Sequence, residues 1–130
     1  MMPAGTTARW LCCHLGAREH YAVPRALHRK GKLRFMVTDA WTRPGSALEH
    51  LPGQLPRRLA ERYHPELETA DVRDLTLSLV RQEVEWRLQR KSGWDLAQAR
   101  NKWFQKSAVE VLSEYHEKAG TRVVVFAHSY

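Results

Sequence analysis

An apolar run, Trp10 to Leu15, stops at Gly16 and gives way to Ala17, Arg18, Glu19, His20 and Tyr21. A glycine lets the backbone turn sharply where a strand passes into a helix. The amides of Ala17 and Arg18 then point outward at the positive end of that helix, a geometry that suits a phosphate or a carboxylate. Arg18 adds charge. Glu19, His20 and Tyr21 are of types that bond sugar hydroxyls or simply pack. The turn has neither the G-x-G-x-x-G spacing of a dinucleotide fold nor the Lys-Ser/Thr pair of a phosphate-binding loop.

Two more strand ends carry chemistry. The run from Leu33 ends in Asp39-Ala40-Trp41, and the last apolar run ends in His128-Ser129-Tyr130. Asp39 and His128 have the chemistry of general bases. The plainer reading makes Asp39 a turn cap and His128 a surface histidine. His14 either faces a ligand or bonds a neighbouring carbonyl. Trp41 either stacks on a sugar ring or packs, whereas Trp10, Trp86, Trp94 and Trp103 read as core or helix-packing residues. The seven histidines show no ligand spacing on a shared helix face, so no metal site is expected.

The elements that must hold these residues follow from periodicity and punctuation. Residues 9–15 read as a strand and 17–30 as a helix stopped by Gly31. Pro24 lies too deep for a helix starting at Ala17, which implies a kink or a late start. Residues 33–41 are nearly continuously apolar, as strands buried on both faces are. Strand, helix and strand make a parallel βαβ unit. Residues 42–66, holding Pro44, Pro52, Pro56 and Pro65, read as a long loop with a helical turn near Pro56–Tyr63. A helix capped by Thr69 or Asp71 follows, its face built from Val72, Leu75, Leu79, Val80, Val84 and Leu88. A second helix spans about Asp95 to Lys118, with Ala97, Phe104, Ala108, Val111, Leu112 and Tyr115 inward. "TRVVVFAHSY" is the last strand. The expected fold is therefore α/β, a partial Rossmann-like parallel sheet of about three strands with a long helical excursion before the last, forming one incomplete domain over residues 1–130.

The bulk properties bound the alternatives. A chain of 130 residues at 43% hydrophobic and 27% charged has the make-up of one globular domain. No apolar run approaches the roughly 20 residues of a bilayer span, and the first residues do not resemble a secretory signal. The adjacent Cys12 and Cys13 fit no disulfide framework, and a reducing cytoplasm suits them. The net charge of +7 gathers in Arg25, Arg29, Lys30, Lys32 and Arg34, which no acidic residue interrupts. That cluster suits an anionic membrane surface, a nucleic acid, a phosphorylated ligand, or only the negative end of a helix. A nucleic-acid module is the rival class, but no helix-turn-helix, RNA-motif or zinc-finger pattern accompanies it, so no nucleic acid is expected. Two further expectations are a location peripheral to the inner membrane and a noncatalytic module pairing through an open sheet edge.

The stretch "HLGAREHYAVPRALHRKGKLRFMVTDAW" (14–41) resembles the opening of family 4-like glycosyltransferases of the GT-B fold, through Gly16, Glu19, Tyr21 and "ALHRKGKL" (26–33). "RNKWFQKSAVEVL" (100–112) and "VFAHSY" (125–130) look like one subgroup of that family, so the resemblance covers about residues 10–130. It implies two Rossmann-like domains facing a cleft, the N-terminal one receiving the acceptor and the C-terminal one holding a nucleotide-sugar donor. The donor-binding domain and its paired-glutamate motif lie outside these residues. The chain then reads as an N-terminal fragment of a hexosyltransferase, inactive alone and needing no cofactor beyond its donor substrate. The resemblance implies that the Gly16 turn, with Ala17, Arg18, Glu19 and Tyr21, approaches donor phosphates or the transferred sugar. It implies that His14, Asp39, Trp41, His128 and Tyr130 line the acceptor side, with Ser129 a further substrate-binding candidate; it assigns no catalytic base, for which Asp39 and His128 are the candidates by chemistry. The leaving phosphate needs positive charge, which helix N-termini and basic side chains supply without requiring a metal.

Overall fold

A computed structural model describes residues 8–45, 47–50, 55–115 and 122–128. The elements are β1 (Ala8–His14), α1 (Ala22–Arg29), β2 (Leu33–Thr38), α2 (Leu55–Ala60), β3 (Val72–Asp74), α3 (Thr76–Leu88), α4 (Gly93–Ser113) and β4 (Arg122–His128). Short 3-10 turns lie at Arg18–Tyr21, Ala47–His50 and Pro65–Leu67. The strands form one sheet in the order β3-β2-β1-β4, and every pairing is parallel. The chain has the α/β, partial Rossmann-like fold. Among the described residues, no helix is long and apolar enough to cross a membrane.

Alternation along β1 and β2 builds two cores, because successive strand side chains point to opposite faces. Cys12 and Met36 face one side, under Tyr21 with Val23 and Leu27 of α1 and Leu67 of the third 3-10 turn. Leu11, Cys13, Phe35 and Val37 face the other, under Phe104 and Ala108 of α4. Adjacent cysteines thus belong to different cores, and the central strands β1 and β2 are covered on both faces, whereas Val123 and Val125 of the edge strand β4 are exposed. A third cluster (Ala40, Leu59, Leu79 and Trp86) joins α2 to α3. Arg100 grips Glu83 through two contacts of 2.7 and 3.0 Å and ties α4 to α3, a bidentate geometry that fixes both helices.

Several boundaries differ from the sequence reading. The sheet has four strands rather than three, because residues 72–74 pair with Met36–Thr38. Val72 is therefore a strand residue, and α3 starts at Thr76, whose amide donates to the Asp74 carboxylate at 3.2 Å. Neither Thr69 nor Asp71 caps it. Val84, Leu88 and Trp94 are exposed rather than inward. The helix expected from residue 17 is a 3-10 turn followed by α1, whose late start places Pro24 at its third residue. There the missing amide is one the helix would leave unpaired in any case. α4 begins at Gly93 and ends at Ser113; the expected stretch 116–118 lies outside the described residues.

Candidate functional site

The strand register sets one row across the carboxyl ends of the sheet: Asp74 beside Thr38, Thr38 beside His14, and His14 beside His128. The chain lays β1, β2 and β3 in one direction, then returns to the far side of β1 with β4. Ligands of doubly wound sheets bind outside the carboxyl ends, where strand order reverses. That reversal falls between β1 and β4, beside His14 and the Gly16 turn.

The turn after β1 is held from below. Gly16, at φ +84°, takes a conformation that few other residues adopt. Its amide donates to the Asp39 carboxylate at 3.2 Å. The same carboxylate oxygen accepts from the Ala40 amide at 2.9 Å and the Thr38 hydroxyl at 3.3 Å, and lies 3.5 Å from the Arg62 guanidinium. Asp39 is 3% exposed, so a buried charge is met by a cation and by backbone donors, as burial requires. Geometrically, Asp39 is the knot joining the ends of β1 and β2 to the segment after α2.

Beyond Gly16 the backbone is strained. Glu19, His20 and Tyr21 lie consecutively in the left-handed region, at φ +53°, +51° and +60°. This conformation costs an L-residue roughly 1–2 kcal/mol. The His20 amide donates to the Ala17 carbonyl at 3.0 Å, and the run delivers the Tyr21 ring into the core, where it is fully buried. Burial, with the Asp39 carboxylate adding to it, pushes the Tyr21 hydroxyl well above its ordinary value, while Arg62 and Thr38 pull the other way. Tyr21 meets His14 at 5.9 Å and Trp41 at 5.7 Å between ring centroids. His14 also meets Phe126 at 5.9 Å.

The candidate residues therefore separate by accessibility. His14, Tyr21 and Asp39 are brought together but buried, Ala17 and Trp41 are partly exposed, and Glu19 is exposed. Ser129 and Tyr130 lie outside the described residues, as do the side chains of Arg18 and His128. Periodicity gave no sign of Arg62, Thr38 and Thr76. Their signal is the pairing need of a strand-end Asp and of the backbone around it, and no local spacing reveals which residue meets that need.

A cleft of about 400 Å³ opens beside the same edge, lined by Trp41, Arg43, Leu67, Glu68, Ala70, Val72 and Asp74. A smaller one of about 150 Å³ lies between the Thr42–Pro44 segment, α2 and Tyr63. Among the described residues, no group of His, Cys, Asp and Glu is arranged to hold a metal ion.

The basic cluster occupies the opposite pole, where α1 ends and β2 begins. Arg25 and Arg29 both approach Glu66, at 3.6 and 3.7 Å. Arg34 lies 5.6 Å over the Tyr115 ring. Lys30 and Lys32 are exposed. The run that no acid interrupts in sequence is thus partly neutralised in space by a residue far along the chain.

No known family, curated protein or solved structure matches this chain.

Proposed function

We propose that this chain is the acceptor-side, N-terminal part of a glycosyltransferase, which moves a sugar from a nucleotide-sugar donor to an acceptor hydroxyl and acts only together with a donor-binding domain. The observation that carries the reading is the strained Gly16–Tyr21 turn at the point where strand order reverses. A strained run next to a turn anchored by a buried carboxylate is the kind of feature that accumulates at binding sites, and its place in the sheet is where ligands bind doubly wound folds. The family resemblance of residues 14–41 supplies the reaction class.

In this reading the turn meets the donor phosphates or the sugar in transit. The Gly16 and His20 amides are engaged within the fold, so the Ala17 and Arg18 amides are the turn's donors, and positive charge at the departing phosphate lowers the barrier. Asp39 positions the turn through Gly16 and Ala40, and the acceptor approaches on the Trp41 side. Lys30 and Lys32, at the far pole, meet an anionic membrane surface and keep the site facing away from it.

The test is a transfer assay with a panel of nucleotide-sugars, run on the chain alone and with a donor-binding domain of the same fold, joined or added separately. Product only in the combined arrangement supports the proposal. Absence of product in both arrangements, from a chain shown to be folded, sinks it.

A further inference from the structure

The cleft beside Trp41 has the composition of a sugar subsite. Its volume of about 400 Å³ falls in the range of roughly 300–1,000 Å³ typical of small-molecule sites. Its apolar lining comes from Ala70 and Val72, with the fully buried Leu67 beneath, and its polar groups are Arg43, Glu68 and Asp74.

The site is preorganised. The Trp41 amide donates to the Thr76 hydroxyl at 2.9 Å, and the Thr76 amide donates to the Asp74 carboxylate at 3.2 Å. The end of β2, the end of β3 and the start of α3 are therefore one hydrogen-bonded unit that includes both the indole and a carboxylate. The indole is held further by Tyr21 and, at 5.1 Å between centroids, by Tyr63. A ring fixed in advance loses little freedom when a ligand arrives.

Charge decides the ligand class. Two carboxylates against one guanidinium disfavour a phosphate, and Arg43 disfavours a simple cation. A neutral ring with one hydrocarbon face and several hydroxyls meets every lining group. Its C–H face lies on the indole, its hydroxyls donate to Glu68 and Asp74, and its oxygens accept from Arg43. Hydrogen bonds to charged groups are the stronger kind.

We propose that the cleft lined by Trp41, Arg43, Glu68 and Asp74 binds a neutral pyranose. That this pyranose belongs to the acceptor rests on the transfer reading above; the ligand class rests on the cleft alone.

The test follows the indole N–H resonances of the full chain, labelled with nitrogen-15. The Trp41 signal is assigned by its absence from Trp41→Phe. The probes are methyl pyranosides of gluco, galacto and manno configuration, with inorganic phosphate and tetramethylammonium as counter-probes. The expected result is a saturable displacement of the Trp41 signal by at least one pyranoside and by neither counter-probe. Glu68→Gln and Asp74→Asn each weaken it about tenfold, the loss of one charged hydrogen bond. Asn at 74 keeps an oxygen for the Thr76 amide, so α3 retains its start. The proposal is overturned if no pyranoside moves the signal in the folded chain, if both variants bind as the parent does, or if phosphate or tetramethylammonium binds instead. Sugar binding without transfer leaves this inference standing and removes the transfer reading; transfer without sugar binding does the reverse.

Discussion

Asp39 shows most sharply how one side chain serves both fold and site. Three donors and one guanidinium meet a single oxygen of a carboxylate that is almost fully buried. Asp39→Ala removes the carboxylate that pairs with Arg62 and takes the acceptor from two amides, and the expected cost is about 3 kcal/mol in urea unfolding. Unchanged stability in that variant would mean that Asp39 does not hold the turn. The two cysteines give a second prediction. Burial, with the Cys13 charge adding to it, pushes the Cys12 thiol up to about 12, and burial pushes Cys13 up to about 11. In the unfolded chain both ionise near the ordinary value of about 8.5. Above that value the unfolded state binds fewer protons than the native one, so stability falls as pH rises. The thiols' contribution is complete below the ordinary value and disappears on the way to 12. Unfolding curves across that range should show the decline, and a thiol reagent at neutral pH should modify the cysteines only after denaturant is added. Asp39 was legible in the sequence as a polar residue ending an apolar run. Arg62 was not, because it comes from a proline-rich segment with no period, and only the folded chain brings it to the carboxylate.

At the scale of elements, the left-handed run from Glu19 to Tyr21 is the local conflict that the rest of the fold must overcome. His20 is exposed, so its conformation can be tested with little disturbance to packing. His20→Gly should hold or raise stability by up to about 1 kcal/mol, and His20→Val should lower it by about as much, since a branched residue resists positive φ. The opposite order would contradict the backbone described for this turn. In α3, Leu79 is buried and Leu88 exposed. Leu79→Ala should cost about 3 kcal/mol, by analogy with other buried leucines, while Leu88→Ala should stay within about 0.5 kcal/mol; thermal or urea unfolding separates them. The strands β1, β2 and β4 were plain as apolar runs, and Pro24 required either a kink or a late start of α1, of which the fold takes the late start. β3 was not, because three residues are too few to show alternation and Val72 extends the helical spacing that follows. Val84 and Leu88 misled for a related reason: apolar spacing marks a helical face but does not say whether anything covers it, just as the size of the Trp94 ring does not say that it is buried.

At the scale of the whole molecule, parallel strands sort the chemistry to two poles. The carboxyl ends carry the Gly16 turn, the Asp39 knot and the Trp41 cleft; the amino ends carry the basic cluster. The order β3-β2-β1-β4 places the reversal, and hence the expected crevice, beside the first of these poles. The sequence displayed the charge at the second pole more loudly, yet Glu66 and Tyr115 take up part of it. The central claim is that the carboxyl pole is where donor and acceptor meet. The most direct measurement follows the backbone amide resonances of the labelled chain, mixed with a donor-binding domain, as uridine- and guanosine-diphosphate sugars are added. The account predicts that the resonances of Gly16 to Tyr21 move, with those around Trp41 moving once an acceptor is present, while Arg29 to Arg34 stay in place. Changes confined to Arg29–Arg34, or none anywhere in a folded chain, would contradict it.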